Sequence, residues 1–308
     1  MKQTLLLILL SLLACVSAAG STLQLETDEQ QHHFSYQFTV ASQPQKLAFT
    51  ISNSVIATHF RQFRRFSPAL LQQYLWRDIK AHVANYPGAR IQRQDAVDTL
   101  RYRLQLRDQN LLQRLQQELE HVIDQRTAYY LQQEYYYQHP LALGEQVIIP
   151  DHVRFAQDSL RDLLPVAEAL HSTLQNMPSR DSVNYISHWI QQIPYQDLSD
   201  RQRSSGNSFS PPLALLQQHR GDCDSKTVLL ATLLRLLLPD VKLAFIYLPE
   251  HAMLAVQLPV TATDDAVSIK NQRYLLVDPT GPALLPAGEV SPEMRLYTVN
   301  NQFSYRLF

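Results

Sequence analysis

The chain is predicted to fold as an α+β protein. A buried helix packs on an antiparallel sheet and is preceded by a mainly helical region with a few short strands. Three observations predict this. From Cys223 to Leu238 the residues are apolar almost all round a helix, Leu229, Leu230, Leu233 and Leu234 among them, which marks a helix buried at the centre of its domain. Beyond Pro239 the pattern changes to short apolar runs separated by turns, as in strands that follow one another in a sheet. Before Asp181 the apolar spacing is mostly three and four, as on one face of a helix.

Taken in order, Phe34, Tyr36, Phe38 and Val40 alternate, and Leu47, Phe49 and Ile51 repeat the pattern across Gln43-Pro44; this is a hairpin-like pair of strands. Ser67-Pro68 starts a helix carrying Leu71, Leu75, Ile79 and Val83. Tyr86-Pro87-Gly88 stops it, and residues 101–106 alternate as a strand. From Asn110 to about Gln138 a longer helical stretch steps through Leu112, Leu115, Leu119 and Val122, as a helical hairpin or packing arm would. Tyr135, Tyr136 and Tyr137 read as the end of this amphipathic helix, and His139-Pro140 closes it. A boundary is expected at Ile148–Asp151, dividing a region 20–150 from a region 151–308. One helix is then expected from Val153 to Leu174 and a second from Val183 to Ile193. Residues 198–212 form a polar, serine-rich loop, and residues 213–218 a short apolar turn or helix. Residues 243–248 and 251–258 are strands joined by Pro249-Glu250, residues 261–271 a polar loop, and residues 273–277 a further strand.

Composition narrows the class of function. At 308 residues and 45% hydrophobic, the chain has material for a sizeable core. Lys and Arg number 27 against 28 Asp and Glu, so no net charge draws the protein to nucleic acid or an anionic membrane. Met1-Lys2, the apolar run from Leu5 to Leu13 and the small residues Ser17, Ala18 and Ala19 read as a secretory signal over residues 1–19, too short to span a bilayer. Export to the periplasm follows. Leu12-Leu13-Ala14-Cys15 also has the form of a lipidation site, which would anchor the mature chain by lipid at Cys15. The chain has two cysteines. With Cys15 in the leader, Cys223 is the sole mature thiol, without a disulfide partner.

Cys223 is placed for chemistry. Gly221 permits a tight backbone turn, and Asp222 is a good N-cap for the helix that follows. The first turn of that helix presents free N–H groups and the positive end of its dipole, which favour a thiolate and can hold an oxyanion. His251 opens one strand and Asp278 ends another before Pro279-Thr280-Gly281. Neighbouring strand ends can join them, the imidazole taking the thiol proton and the carboxylate orienting the ring.

Gly221-Asp222-Cys223, His251-Ala252 and Asp278-Pro279-Thr280 resemble the three signature motifs of the transglutaminase-like superfamily. Trp189 to Tyr195 resembles the segment that precedes the cysteine there. The similarity runs from about Asp181 to Pro282. It implies a papain-like α+β core with Cys223 as nucleophile, His251 as base and acid, and Asp278 as orienter. Tyr195 is a candidate helper at the oxyanion site, and Asp222 and Met253 are further substrate-site candidates. Met253 departs from the family, which often has an aromatic residue two positions after the histidine. The superfamily includes cysteine peptidases, amidases, protein cross-linking acyltransferases and inactive copies used for binding.

The expected function is therefore thiol-dependent cleavage of amide or peptide bonds in envelope proteins or peptides, with no cofactor. A cross-linking acyltransferase and a catalytically silent binding or assembly module are the alternatives. A structural zinc site normally takes four ligands and more than one sulfur, which disfavours a metal at Cys223, His251 and Asp278.

Overall fold

In the computed structural model, residues 20–94, 99–141, 144, 146–198 and 209–308 are described. The expected signal, Cys15 and most of the serine-rich loop lie outside them. The first sheet holds β1 (Thr22–Thr27), β2 (Gln31–Val40) and β3 (Gln43–Ser52), antiparallel in that order. The alternation in β2 and β3 buries Phe34, Tyr36, Phe38, Leu47, Phe49 and Ile51 on one face. Each of these two strands has 10 residues, so the N-terminal region holds more strand than its helical spacing suggests.

Helix α1 (Asn53–Thr58) follows, then α2 (Pro68–Val83), capped by the Ser67 side chain. The hairpin of β4 (Arg90–Gln94) and β5 (Arg101–Gln105) leads to α3 (Gln109–Gln133). Helices α2 and α3 form a hairpin with its own small core of Ile79, Val83, Leu115 and Leu119. The tyrosine cluster is not the end of α3. Tyr135 takes a left-handed φ of 62°, and β6 (Tyr136–Pro140) then pairs with β7 (Gln146–Pro150). Buried Tyr136 donates to Arg64 O and accepts from Phe66 N, both at 2.9 Å. A buried phenol needs such partners, and here they fix a strand where local spacing favoured a helix.

The helix expected from Val153 to Leu174 is two helices, α4 (His152–Asp158) and α5 (Leu164–Leu174). Pro165 lies in the first turn of α5, where its missing N–H does no harm; inside one continuous helix it would break a hydrogen bond. Helices α6 (Ser179–Gln191) and α7 (Pro212–Gln218) lead to α8 (Cys223–Leu237). Residues Ser225 to Leu234 of α8 are buried without a break, and each large apolar side chain buried there contributes about 1.5–3 kcal/mol.

Strands β8 (Leu243–Leu248), β9 (His251–Val256), β10 (Ala266–Ile269) and β11 (Gln272–Val277) follow, then α9 (Pro292–Val299) and β12 (Ser304–Leu307). They build an antiparallel sheet in the order β10-β11-β9-β8-β12. The expected loop over residues 261–271 therefore contains an edge strand. Lys270 and Asn271, both at positive φ, turn β10 into β11, as the favoured two-residue hairpin turn requires. One face of the sheet packs on α8 in the main core, which also holds Phe34, Tyr36 and Phe49. That core crosses residue 150. The opposite face buries Ile246, Met253, Ala255 and Leu276 under Met294 and Tyr297 of α9. Among the described residues no helix is long and apolar enough to cross a membrane.

The turn after β11 is tied to the end of α6. Gln191 Nε2 donates to Asp278 O at 2.7 Å and to Leu285 O at 2.9 Å. Gly281 lies so close that an added Cβ would stand 2.1 Å from Gln191 O, at a φ of +67°. The left-handed backbone alone costs an L-residue about 1–3 kcal/mol, and the overlap adds to it. Gly281→Ala is expected to lower unfolding free energy by about 3 kcal/mol or more in a denaturant melt. Wild-type stability in this variant would mean that the turn is not held against α6.

Candidate active site

Helix α8 presents Cys223 as its first residue. Asp222 caps the helix, its carboxylate accepting from Ser225 N at 2.9 Å. Gly221 is needed for close approach and has no left-handed φ. It forms a parallel bridge with Tyr195, donates to Pro194 O at 3.2 Å and accepts from Gln196 N at 3.1 Å. A Cβ there would stand 2.7 Å from Leu215 Cδ1. This bridge draws the segment after α6 alongside the cysteine.

His251 begins β9 directly after the tight turn from β8. Val277 pairs with Leu254, so the chain beyond β11 runs back along β9 and carries Asp278 to the imidazole. His251 Nε2 and Asp278 Oδ2 are 3.0 Å apart, both side chains largely buried. Burial opposes charge on the imidazole, but the Asp278 hydrogen bond and charge outweigh it, and His251 titrates above its ordinary value. Burial also opposes the Asp278 carboxylate, and its bond to His251 outweighs that and holds it below the usual range. The charged pair is therefore complete between the two values. It is lost at low pH when Asp278 protonates and at higher pH when His251 deprotonates.

Cys223 and His251 line one cleft of about 510 Å³, together with Tyr195 and Asp222. The β6–β7 hairpin contributes His139, Leu141, Val147 and Ile149 to the cleft wall. Tyr195 is 52% exposed, and its hydroxyl is pushed up to about 12, by burial first and then by neighbouring negative charge. It stays a donor at neutral pH. Met253 is the exception among the expected site residues. Its side chain is fully buried on the α9 side of the sheet and does not line the cleft, because α9 covers that face of β9 beyond His251.

The thiol has a different neighbour from the one expected. Among the described residues, its hydrogen bond runs from Sγ to Asp224 Oδ1 at 3.5 Å, and none joins it to His251. Burial raises the thiol well above its usual value, and the charges of Asp224 and Asp222 raise it further. The helix dipole, worth about 0.3–1 kcal/mol at a surface and up to ~2 kcal/mol in a partly buried site, is the smaller effect. The resting group is thus a thiol, where the helix position alone had favoured a thiolate.

Two further residues, His152 and Lys226, complete the site. His152, at the start of α4, points Nε2 at Asp224 Oδ2, a 3.4 Å contact without hydrogen-bond geometry. Its Nδ1 lies 3.1 Å from Tyr247 Oη. Lys226, completely buried in α8, donates to Ile193 O and Thr280 O, each at 2.5 Å. It joins the segments that carry Tyr195 and Asp278. A lysine in a mainly apolar helix is the one visible signal for this role, and nothing local marks His152. Among the described residues no group of three His, Cys, Asp or Glu side chains could hold a metal ion. No protein-family model matches the chain, and no curated protein matches it significantly.

Proposed function

We propose that this protein is an exported, thiol-dependent acyl-transfer enzyme with a transglutaminase-like, papain-like core, acting as a cysteine peptidase or amidase on envelope proteins or peptides. The observation that carries this is the shared cleft: a cysteine in the first turn of a buried helix faces the same space as a histidine hydrogen-bonded to an aspartate. The motif resemblance over residues 181–282 supports the same reading.

With Nε2 engaged by Asp278, Nδ1 of His251 is the nitrogen left to accept the thiol proton. As it does so, the sulfur bonds to the substrate carbonyl carbon. The oxygen gains negative charge within reach of the Cys223 N–H, at the positive end of α8, with Tyr195 as a second donor. Return of the proton from His251 to the leaving nitrogen breaks the C–N bond and leaves a thioester. Water, deprotonated by the same imidazole, then releases the acid. An amine in place of water would give cross-linking. The cleft's apolar wall of Leu141, Val147 and Ile149 suits an acyl donor with an apolar side chain.

The test compares the envelope proteome of cells carrying Cys223→Ala with that of wild type. The proposal expects a substrate that stays uncleaved in the variant; a missing higher-mass conjugate would assign the amine acceptor instead. One observation favours a catalytically silent binding module of the same fold, namely the thiol bonded to Asp224 and not to His251. No change in Cys223→Ala, with a phenotype only on loss of the whole protein, would favour that module and overturn the enzyme.

A further inference from the structure

Cys223 shares its cleft with residues of two carboxylate–imidazole pairs. One is His251 and Asp278, 3.0 Å apart. The other is Asp224 and His152, 3.4 Å apart. The thiol donates to the second pair. That pair is well anchored. His152 is almost wholly buried and stacks on the Tyr247 ring, with centroids 5.4 Å apart and planes 24° apart. Tyr247 in turn packs against His139, centroids 4.4 Å apart, and His139 Nε2 is 2.6 Å from Ser304 Oγ. So the second pair is fixed by α4, β8, β6 and β12 together.

We propose that Asp224 and His152 act as a positioning pair that holds Cys223 as a protonated, weakly reactive donor in the resting protein. His251 receives the thiol proton only once the charge of Asp224 is offset by a cationic group entering the cleft. This deepens the proposed function and rests on it for its catalytic meaning. The charged and titratable groups around the thiol agree with it. From α8 come Asp222, Asp224 and Lys226, with His152 from α4, His251 and Glu250 from the β8–β9 turn, and Asp278 beyond β11. Tyr195 and Asp197 come from the segment after α6, and His139 from β6. Lys226 is turned into the protein, onto Ile193 O and Thr280 O, and among the described residues no lysine or arginine lines the cleft. The carboxylates of Asp224 and Asp222 beside the thiol therefore favour a cationic residue or a free amine near the scissile bond.

The experiment needs no acyl substrate. The purified mature protein is titrated for thiolate by ultraviolet absorbance, and Cys223 is alkylated with iodoacetamide, anionic iodoacetate and cationic bromoethylamine. In each case a sulfur–carbon bond replaces the carbon–halogen bond, halide leaves, and the thiol proton passes to solvent. In wild type the rate of each reagent is expressed relative to its rate with free cysteine; bromoethylamine should then lead and iodoacetate trail. Asp224→Asn removes a like charge beside the thiol, so the thiolate midpoint should fall by about one to three pH units. Iodoacetamide alkylation at neutral pH should then rise by about three- to fifty-fold, since nucleophilicity falls as the midpoint falls, and the preference for the cationic reagent should shrink. Asp224→Glu keeps the charge and should stay slow. His152→Leu leaves the carboxylate unshared and should move the midpoint up. An unshifted midpoint in folded Asp224→Asn, or an equal shift in Asp224→Glu, overturns the pair. If turnover is never found but the midpoint moves as stated, the pair stands and the proposed activity falls.

Discussion

Asp278→Asn is expected to lower the acyl-transfer rate by about 10³–10⁴-fold while leaving the fold intact. An amide can donate as well as accept, so it no longer forces the proton onto Nε2 of His251, and the wrong tautomer presents N–H, not a lone pair, to the thiol. Stability should change little by comparison, because Thr280 N, which donates to Asp278 Oδ1 at 3.0 Å, keeps an oxygen to bond. The pH profile gives a second readout. Asp278 holds His251 above its ordinary value against burial. As a base His251 must be neutral, so wild-type activity should climb through that raised value. Without the carboxylate, burial acts unopposed by its main partner, and the acid limb should move to lower pH. The imidazole titration can be followed by NMR in the Cys223→Ala background. A limb that stays in place, or an Asp278→Asn enzyme within tenfold of wild type, would exclude the assigned base–orienter pair.

The elements that carry these residues were legible because their signals are local. The apolar run from Val228 to Leu237 and the alternation in β9 need no distant partner to be read. The site residues that came from sequence, Cys223, His251 and Asp278, lie at ends of such elements, and two of them meet at 3.0 Å. What was missed depends on contacts made far along the chain. His152 reaches Asp224 from a helix whose start is set by the Asp151 cap. The β6–β7 hairpin forms where Tyr136, one of three consecutive tyrosines, finds partners in Arg64 and Phe66. Met253 was misplaced for a different reason. Position 253 shares a strand face with His251, but further along β9 that face is covered by α9, which puts the Met253 side chain in the second core and out of the cleft. The thiol's environment depends on the carboxylate at the very next position as well as on the helix end.

Lys226→Met is expected to destabilise the protein by about 3–5 kcal/mol. Methionine keeps the volume and the helix propensity, so packing in α8 is preserved. It leaves Ile193 O and Thr280 O without their donor, and an unpaired buried carbonyl costs about 1–3 kcal/mol. It also removes the positive charge that faces Asp278 and Asp222. Relief of the buried ammonium offsets part of this. Burial pushes Lys226 down to about 8, so the cost of keeping it charged is present below that pH. The cost is relieved as pH rises from about 8 towards the ordinary lysine value near 10.4, because over that window the unfolded chain binds the extra proton. The neutral amine keeps two N–H groups for the same two carbonyls. Wild type should therefore gain on Lys226→Met between neutral and alkaline pH, as measured by denaturant melts of both proteins at each pH. A gap that narrows would show that the ammonium charge, and not the two donated hydrogen bonds, holds the Tyr195 and Asp278 segments together. Loss of the clamp should also loosen the Asp278 turn and lower acyl transfer beyond the stability effect. Restored stability without restored activity, for instance in stabilising co-solvent, would separate this positioning role from a merely structural one.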